Sequence, residues 1–267
     1  MHVIFFLIVA VVGALMWVFY FNHAAWQGIV ALLVVFLAAN LVYILFWGLV
    51  SLFVNVSKPI SRQSRMCRTG CVGIATLALS YFGAKVHISG IELLPQDSRF
   101  LFVSNHRSGF DPLVAISRLK DYNISFISKP ENMNLPIFGR LAYGAGYLAI
   151  DRENDRNALQ TVNQAAEYIA NNLCSIGIYP EGTRSRTKDV LPFRPGCFKI
   201  AQKANVPVVI AASHGTENVT KKGLFGGADI YLDILELVPA EKVQAMNTRS
   251  ISEYSRNLIV KKLAESR

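Results

Sequence analysis

The sequence predicts an α/β fold: a single domain whose largely parallel, mixed sheet is flanked by helices, preceded by a two-helix transmembrane hairpin. Three observations carry this expectation. After residue 84, short β-rich runs alternate with helical patterns, as parallel strands joined by helical crossovers do. Residues 1–57 contain no Lys, Arg, Asp or Glu. All of the formal net charge of +9 therefore lies after that stretch.

Two apolar runs fill the uncharged stretch, Val3 to Phe21 and Gly28 to Val54, separated by Asn22-His23-Ala24-Ala25-Trp26. A helix needs about 20 apolar residues to cross the hydrocarbon core, so both runs suffice and the short connection predicts a hairpin over residues 1–57. The first run lacks the basic n-region of a secretory signal and exceeds the usual apolar length of one. Lys58, Arg62, Arg65 and Arg68 follow the second run, while the connection has no basic residue. The positive-inside rule then puts the chain from residue 58 onward on the cytoplasmic face, giving a two-pass protein of the cell membrane. Residues 58–83 read as a basic juxtamembrane segment. Within it, Gly70–Phe82 is apolar but too short to span, and is expected as an interfacial or core helix. Residues 84–267 form the domain proper.

A basic domain tied to a membrane points to anionic headgroups or phosphate-bearing ligands. No nucleic-acid motif accompanies the charge, so nucleic acid is not an expected partner. Cys67, Cys71, Cys174 and Cys197 show no metal-ligand spacing, and no metal is expected. Packing is their expected role, with acylation of Cys67 and Cys71 the alternative.

In the domain, strands are expected at Val86–Ser89, Phe100–Val103, Ile124–Ile127, Tyr147–Ile150, Ser175–Tyr179, Val206–Ala212 and Ile230–Leu237. A helix is expected from Asp155 to Leu173, where Ala158, Leu159, Val162, Ala166, Ile169 and Leu173 follow helical spacing. Ligands of open α/β sheets bind at the carboxyl ends of strands. The polar residues of interest fall there: Asn105-His106 after the second strand, Lys129 after the third, Asp151-Arg152 after the fourth, and Pro180-Glu181-Gly182-Thr183-Arg184 after the fifth.

His106 and Asp111 stand out within Asn105-His106-Arg107-Ser108-Gly109-Phe110-Asp111. A neutral imidazole takes a proton from an alcohol near pH 7, and a carboxylate nearby holds its tautomer and stabilises the imidazolium. No Gly-x-Ser-x-Gly elbow supplies a seryl nucleophile, so the pair is expected to activate a substrate hydroxyl. Taken singly, each signal has an ordinary structural explanation. Asp111-Pro112 reads as a helix start with Asp as N-cap. Arg152 reads as part of a solvated turn, Glu181-Gly182 as a turn with Gly at positive φ, and Arg184 as surface. Their shared strand-end position is what raises them.

These residues resemble the glycerolipid acyltransferases, most closely the 1-acylglycerol-3-phosphate acyltransferases. The family's Asn-His-x4-Asp motif stands at Asn105–Asp111, Gly-x-x-x-Ile-x-Arg at Gly146–Arg152, Pro-Glu-Gly-Thr-Arg-Ser at Pro180–Ser185, and a Val-Pro-Val strand at Val206-Pro207-Val208-Val209. Lys129, Pro136 and Gly139 resemble its Lys…Pro-x-x-Gly segment. The resemblance spans roughly residues 84–240. It implies transfer of a fatty acyl group from acyl-CoA or acyl-carrier protein to the hydroxyl of lysophosphatidic acid, with membrane lipids as partners and no cofactor beyond the donor. His106 is then the general base and Asp111 orients it. Arg152 and Arg184 suit the acceptor phosphate. Glu181 positions the glycerol or a basic neighbour, Lys129 adds positive charge at the rim, and backbone N–H groups near Gly182 serve the oxyanion. Asn105, Gly182 and Thr183 complete the implied substrate-binding set. Two alternatives stay open at this point: the same chemistry on glycerol-3-phosphate, another lysophospholipid or an amino-acid lysolipid, and a non-catalytic, membrane-tethered lipid-binding protein.

Overall fold

The computed structural model describes residues 2–21, 25–57, 60–151, 154–185, 187 and 189–265. Three helices come first, α1 (His2–Phe21), α2 (Ala25–Leu52) and α3 (Arg65–Tyr81). Then follow β1 (Lys85–Ser89), β2 (Leu101–Ser104), α4 (Phe110–Arg118), β3 (Ile124–Ser128), α5 (Pro130–Met133), α6 (Phe138–Gly144) and β4 (Leu148–Ala149). The chain continues through α7 (Asp155–Ala170), β5 (Ser175–Ile178), α8 (Lys199–Ala204), β6 (Val208–His214), α9 (Val219–Lys222), β7 (Asp229–Val238), α10 (Ala240–Ala245) and α11 (Thr248–Glu265).

Among the described residues, the strands form one sheet in the order β1-β7-β6-β2-β5-β3-β4. β6, β2, β5, β3 and β4 run parallel to one another. β7 pairs antiparallel with β6 and parallel with β1, so these two strands run the other way. The expected largely parallel, mixed sheet is therefore present, and five strands deliver their carboxyl ends to one edge. All seven expected strands occur, with ends displaced by up to about two residues. Both sheet faces are covered, as a parallel block requires. Phe102 faces the layer of α3, α4 and α6, while its neighbours Leu101 and Val103 face the layer of α7, α8 and α11.

The segment after α2 forms a core helix. Ser64 caps α3 by accepting the Cys67 N–H, and Cys67, Cys71, Ala75 and Leu79 form its buried stripe against α4 and α6. Packing is thus the place of these cysteines: Cys67 and Cys71 are buried. Burial raises the Cys71 thiol and pushes the Cys174 thiol up to about 11. Gly70 admits Trp47 of α2, whose ring would lie 2.8 Å from an added Cβ.

Helix α7 begins where expected, with Asn154 accepting the Arg156 and Asn157 N–H groups. It ends at Ala170, three residues short of Leu173. Its buried stripe is Thr161, Val162, Ala165, Ala166, Tyr168 and Ile169, and Leu159 stands 49% exposed instead of facing the core. α2 is long and apolar enough to cross a bilayer over Trp26–Leu52, with mean hydropathy 2.8. The fully described stretch of α1, Ile8–Trp17, is shorter than a span, so a second pass rests on side chains outside the described residues.

The α5–α6 connection is tightly wound. Ile137 adopts φ 63° and ψ −64°, and the Phe138 N–H reaches back to the Pro136 carbonyl at 2.6 Å. An added Cβ at Gly139 would lie 2.0 Å from the Met133 carbonyl oxygen. Gly139→Ala is therefore expected to destabilise the fold by about 1–3 kcal/mol or more, since the obstacle is backbone. An unchanged midpoint of denaturant unfolding in detergent would show that this turn relaxes freely.

Candidate active site

The carboxyl ends of β2, β3, β5 and β6 open onto a cavity of about 1370 Å³. One part of its wall is basic, with Arg107, Lys129, Arg184 and Lys221. Another part is apolar, with Ile74 and Ala78 of α3, Leu113 and Ile116 of α4, and Phe126, Phe138 and Tyr147. His106 stands on this wall.

The His106 side chain is 15% exposed, and that of Asp111 is wholly buried. His106 Nδ1 and Asp111 Oδ2 are 2.9 Å apart. The same oxygen accepts the backbone N–H groups of Arg107 and Ser108, each at 2.7 Å. Oδ1 accepts the hydroxyls of Thr216 at 2.5 Å and Ser213 at 3.3 Å. An ionised carboxylate receives a proton donor at each contact, so Nδ1 carries the hydrogen and Nε2 is the bare nitrogen. Asp111 is not the helix cap expected from Asp111-Pro112. α4 starts at Phe110 with Gly109 as N-cap, because the carboxylate is already committed to the loop before it.

Aromatic stacking fixes the imidazole from the side. Tyr179 lies against it with ring centres 4.6 Å apart, and Phe126 lies against Tyr179 at 6.0 Å. Burial, and then the Asp111 charge, holds the Tyr179 phenol well above its ordinary range. Tyr179 therefore stays neutral beside the histidine.

Residues 85–213 match the family model described as Acyltransferase. The 1-acyl-sn-glycerol-3-phosphate acyltransferase of Haemophilus influenzae is 29% identical over 192 residues, covering 69% of this chain and 80% of that protein. The protein of the same name from Limnanthes douglasii is 30% identical over 166 residues, covering 62% of this chain and 58% of its own length. The crystal structure of the 1-acyl-sn-glycerophosphate (LPA) acyltransferase from Thermotoga maritima shares the fold, with TM-score 0.65 and 24% identity over 85% of this chain and 91% of that one. These likenesses support the glycerolipid acyltransferase family for this chain. It is an O-acyltransferase.

The acyltransferase uses its sequence-predicted residues in two different ways. Lys129, Thr183 and Arg184 line the cavity. Asn105, Glu181 and Gly182 do not, and their expected substrate roles give way to structural ones. The Asn105 side chain is 1% exposed and tied at both ends to Ser213 of β6, donating to its carbonyl at 2.9 Å and accepting its N–H at 2.8 Å. Glu181 accepts the His106 N–H at 2.6 Å and the Leu191 N–H at 2.9 Å. Burial raises its carboxyl, and these two hydrogen bonds oppose that shift. The His106 carbonyl in turn accepts the Ser185 N–H at 2.8 Å. The loop after β5 thus brackets the His106 backbone on both sides.

Gly182 turns the chain at φ +73°, and its own N–H goes to the Tyr179 carbonyl at 3.0 Å, so that group does not serve an oxyanion. Arg152 lies outside the described residues. Among the described residues, no cluster of His, Cys, Asp and Glu has the makings of a metal site.

Several cavity residues were not found from the sequence. Arg107 pairs with Glu217 at 3.6 Å, and both line the cavity. His214 ends β6, stacks on Tyr231 at 4.6 Å and sits 3.9 Å from Asp233. The strand-end rule would have reached His214 had the sixth strand been extended to Ser213 and beyond. Nothing local in the sequence marks Glu217 or Lys221.

Thr216→Val keeps the side-chain shape and removes one donor from a buried carboxylate. It is expected to cost about 1–3 kcal/mol of stability, with a fall in activity. Denaturant unfolding matching the wild type would contradict that weight for the bond.

Burial lowers the His214 pKa below its ordinary 6.5, against the opposing pull of Asp233 and Glu217. As pH falls below that value, the unfolded chain takes up a proton that the folded chain resists, so stability drops. His214→Gln should flatten this acid limb. Equal pH dependence of wild type and variant between pH 7.5 and 5.5 would argue against it.

Proposed function

We propose that this acyltransferase moves a fatty acyl group from acyl-CoA or acyl-carrier protein to the free hydroxyl of 1-acylglycerol-3-phosphate. The product is phosphatidic acid, made for phospholipid synthesis at the cytoplasmic face of the cell membrane. The observation that carries this reading is a cavity lined by His106, which the buried Asp111 holds, together with basic and apolar side chains. Relatives named for the same activity support it.

His106 Nε2 takes the proton of the acceptor hydroxyl as its oxygen bonds to the thioester carbonyl carbon. The buried Asp111 carboxylate stabilises the imidazolium that forms. The tetrahedral oxyanion then collapses, the carbon–sulfur bond breaks, and the departing thiolate recovers the proton from His106. Arg184, Arg107, Lys129 and Lys221 give the acceptor phosphate a cationic wall, with guanidinium groups suited to bidentate contact. The apolar wall of α3 and α4 takes a fatty chain. No step calls for a cofactor or a metal. α2 supplies a membrane anchor, and a first span through α1 would keep the amino terminus on the cytoplasmic side with the domain.

Purified enzyme in vesicles should convert lysophosphatidate and a long-chain thioester to phosphatidate. His106→Ala should lose turnover while keeping the wild-type circular dichroism. Asp111→Asn should lower kcat by about 10²–10⁴, the range expected of a general base held out of position. Full activity in a folded His106→Ala protein would sink the mechanism. An acceptor panel including glycerol-3-phosphate and other lysolipids reads the substrate directly, and preference for one of those would replace lysophosphatidate in the proposal.

A further inference from the structure

We propose that the connection between β6 and β7 is a second membrane contact, in which Leu224 and Phe225 insert among anionic lipids beside α2. The proposal rests on the reading that this enzyme works at a bilayer, and it names a surface that does so outside the anchor.

Leu224 is 64% exposed and Phe225 67% exposed. Single exposed apolar residues are ordinary on a protein surface. This pair is not ordinary, because its backbone is held. The Phe225 N–H donates to the Tyr81 carbonyl at 2.8 Å, and the Gly227 N–H donates to the Phe82 carbonyl at 3.2 Å. Lys222 Nζ donates to the Gly227 carbonyl at 2.8 Å. Phe225 is also kept at φ 60°, a left-handed conformation that bulky residues rarely adopt. Strain of this kind persists only where the surroundings impose it, and such sites gather where proteins bind. The end of α3 thus presents two large apolar side chains outward at a conformational cost.

The neighbourhood identifies the partner. Tyr81 meets the Phe225 ring edge-on at 6.2 Å and Phe36 of α2 at 6.4 Å. Its hydroxyl donates to Asn40 of α2 at 2.5 Å. The exposed pair is therefore continuous with the helix that is apolar enough to cross a bilayer. Lys221 and Lys222 precede it across Gly223, and Lys85 joins the same turn through its N–H to the Ala228 carbonyl. The nearby acid, Asp229, is engaged with His87 at 3.0 Å. Apolar side chains beside lysines fit the boundary between acyl chains and anionic headgroups. Lys221 also lines the catalytic cavity. Insertion of the loop would set the mouth of that cavity at the depth of the lipid phosphates.

The test uses the full chain in vesicles of phosphatidylcholine containing phosphatidylglycerol. In a Cys197→Ser background, Phe225→Cys and, separately, Leu224→Cys carry an environment-sensitive fluorophore. Leu159→Cys, on the opposite layer, is the control. Phospholipids bearing nitroxides should quench the probes at 224 and 225 strongly and the probe at 159 weakly. Quenching at 224 and 225 no stronger than at 159 overturns the proposal. The double variant Leu224→Ser with Phe225→Ser should lose about tenfold in rate on vesicle-borne lysophosphatidate and keep its rate on a short-chain, water-soluble analogue. Equal loss on both acceptors, or no loss on either, also overturns it. Strong quenching at 224 and 225 in an enzyme that acylates neither acceptor supports the membrane contact and refutes the acceptor assignment instead.

Discussion

The site depends on one buried charge. The Asp111 side chain has no exposure to solvent, and a carboxylate in that position is costly unless hydrogen bonds replace its water. Two backbone N–H groups, two hydroxyls and one imidazole do so. Each of these donors fixes a different part of the chain. The loop after β2 cannot move without exposing Oδ2, and the end of β6 cannot move without stripping Oδ1. The imidazole shares Oδ2 with rigid backbone donors, so its position is inherited from theirs. An imidazole whose position is set this way is preorganised.

A second brace acts on the backbone of His106 itself. The N–H and carbonyl of His106 are both taken by the loop after β5, through Glu181 and Ser185. The amide of Asn105 locks the preceding residue to β6. Tyr179, at the end of β5, stacks on the ring. The Pro180–Ser185 motif therefore divides its work: Glu181 and Gly182 hold shape, while Thr183 and Arg184 face the cavity. Residues that look alike in a motif need not touch the same thing.

The sheet explains why these pieces meet. β2, β3, β5 and β6 are parallel, so the loops that follow them share an edge. Had β6 run with β7 and β1, Ser213 and His214 would sit at the far end of the sheet and Asp111 would lose its hydroxyl donors. The α3 and α4 layer, against which α2 packs through Trp47 and Gly70, also supplies the apolar wall of the cavity. The apolar wall of the cavity and α2 therefore lie in the same layer.

The local pattern of residues determined much of this protein. Alternating β-rich and helical runs placed every strand, and the uncharged stretch before residue 57 marked α2, because side-chain periodicity and hydropathy are properties of short segments. The strand-end rule also brought His106, Asp111, Lys129 and Arg184 to one edge. Partner choice is a different matter. Ser213 and Thr216 lie 102 and 105 residues from Asp111 in the chain, and no local pattern records which hydroxyl will reach which oxygen. Asn105 and Glu181 were expected at the substrate and became braces, since a buried amide or carboxylate takes the nearest backbone donors once the fold has closed around it. The sequence by itself determined the elements and the chemical groups available. Tertiary packing alone decided the order of strands, the donors around Asp111 and the residues left facing the cavity, because those follow from which distant surfaces can be buried together.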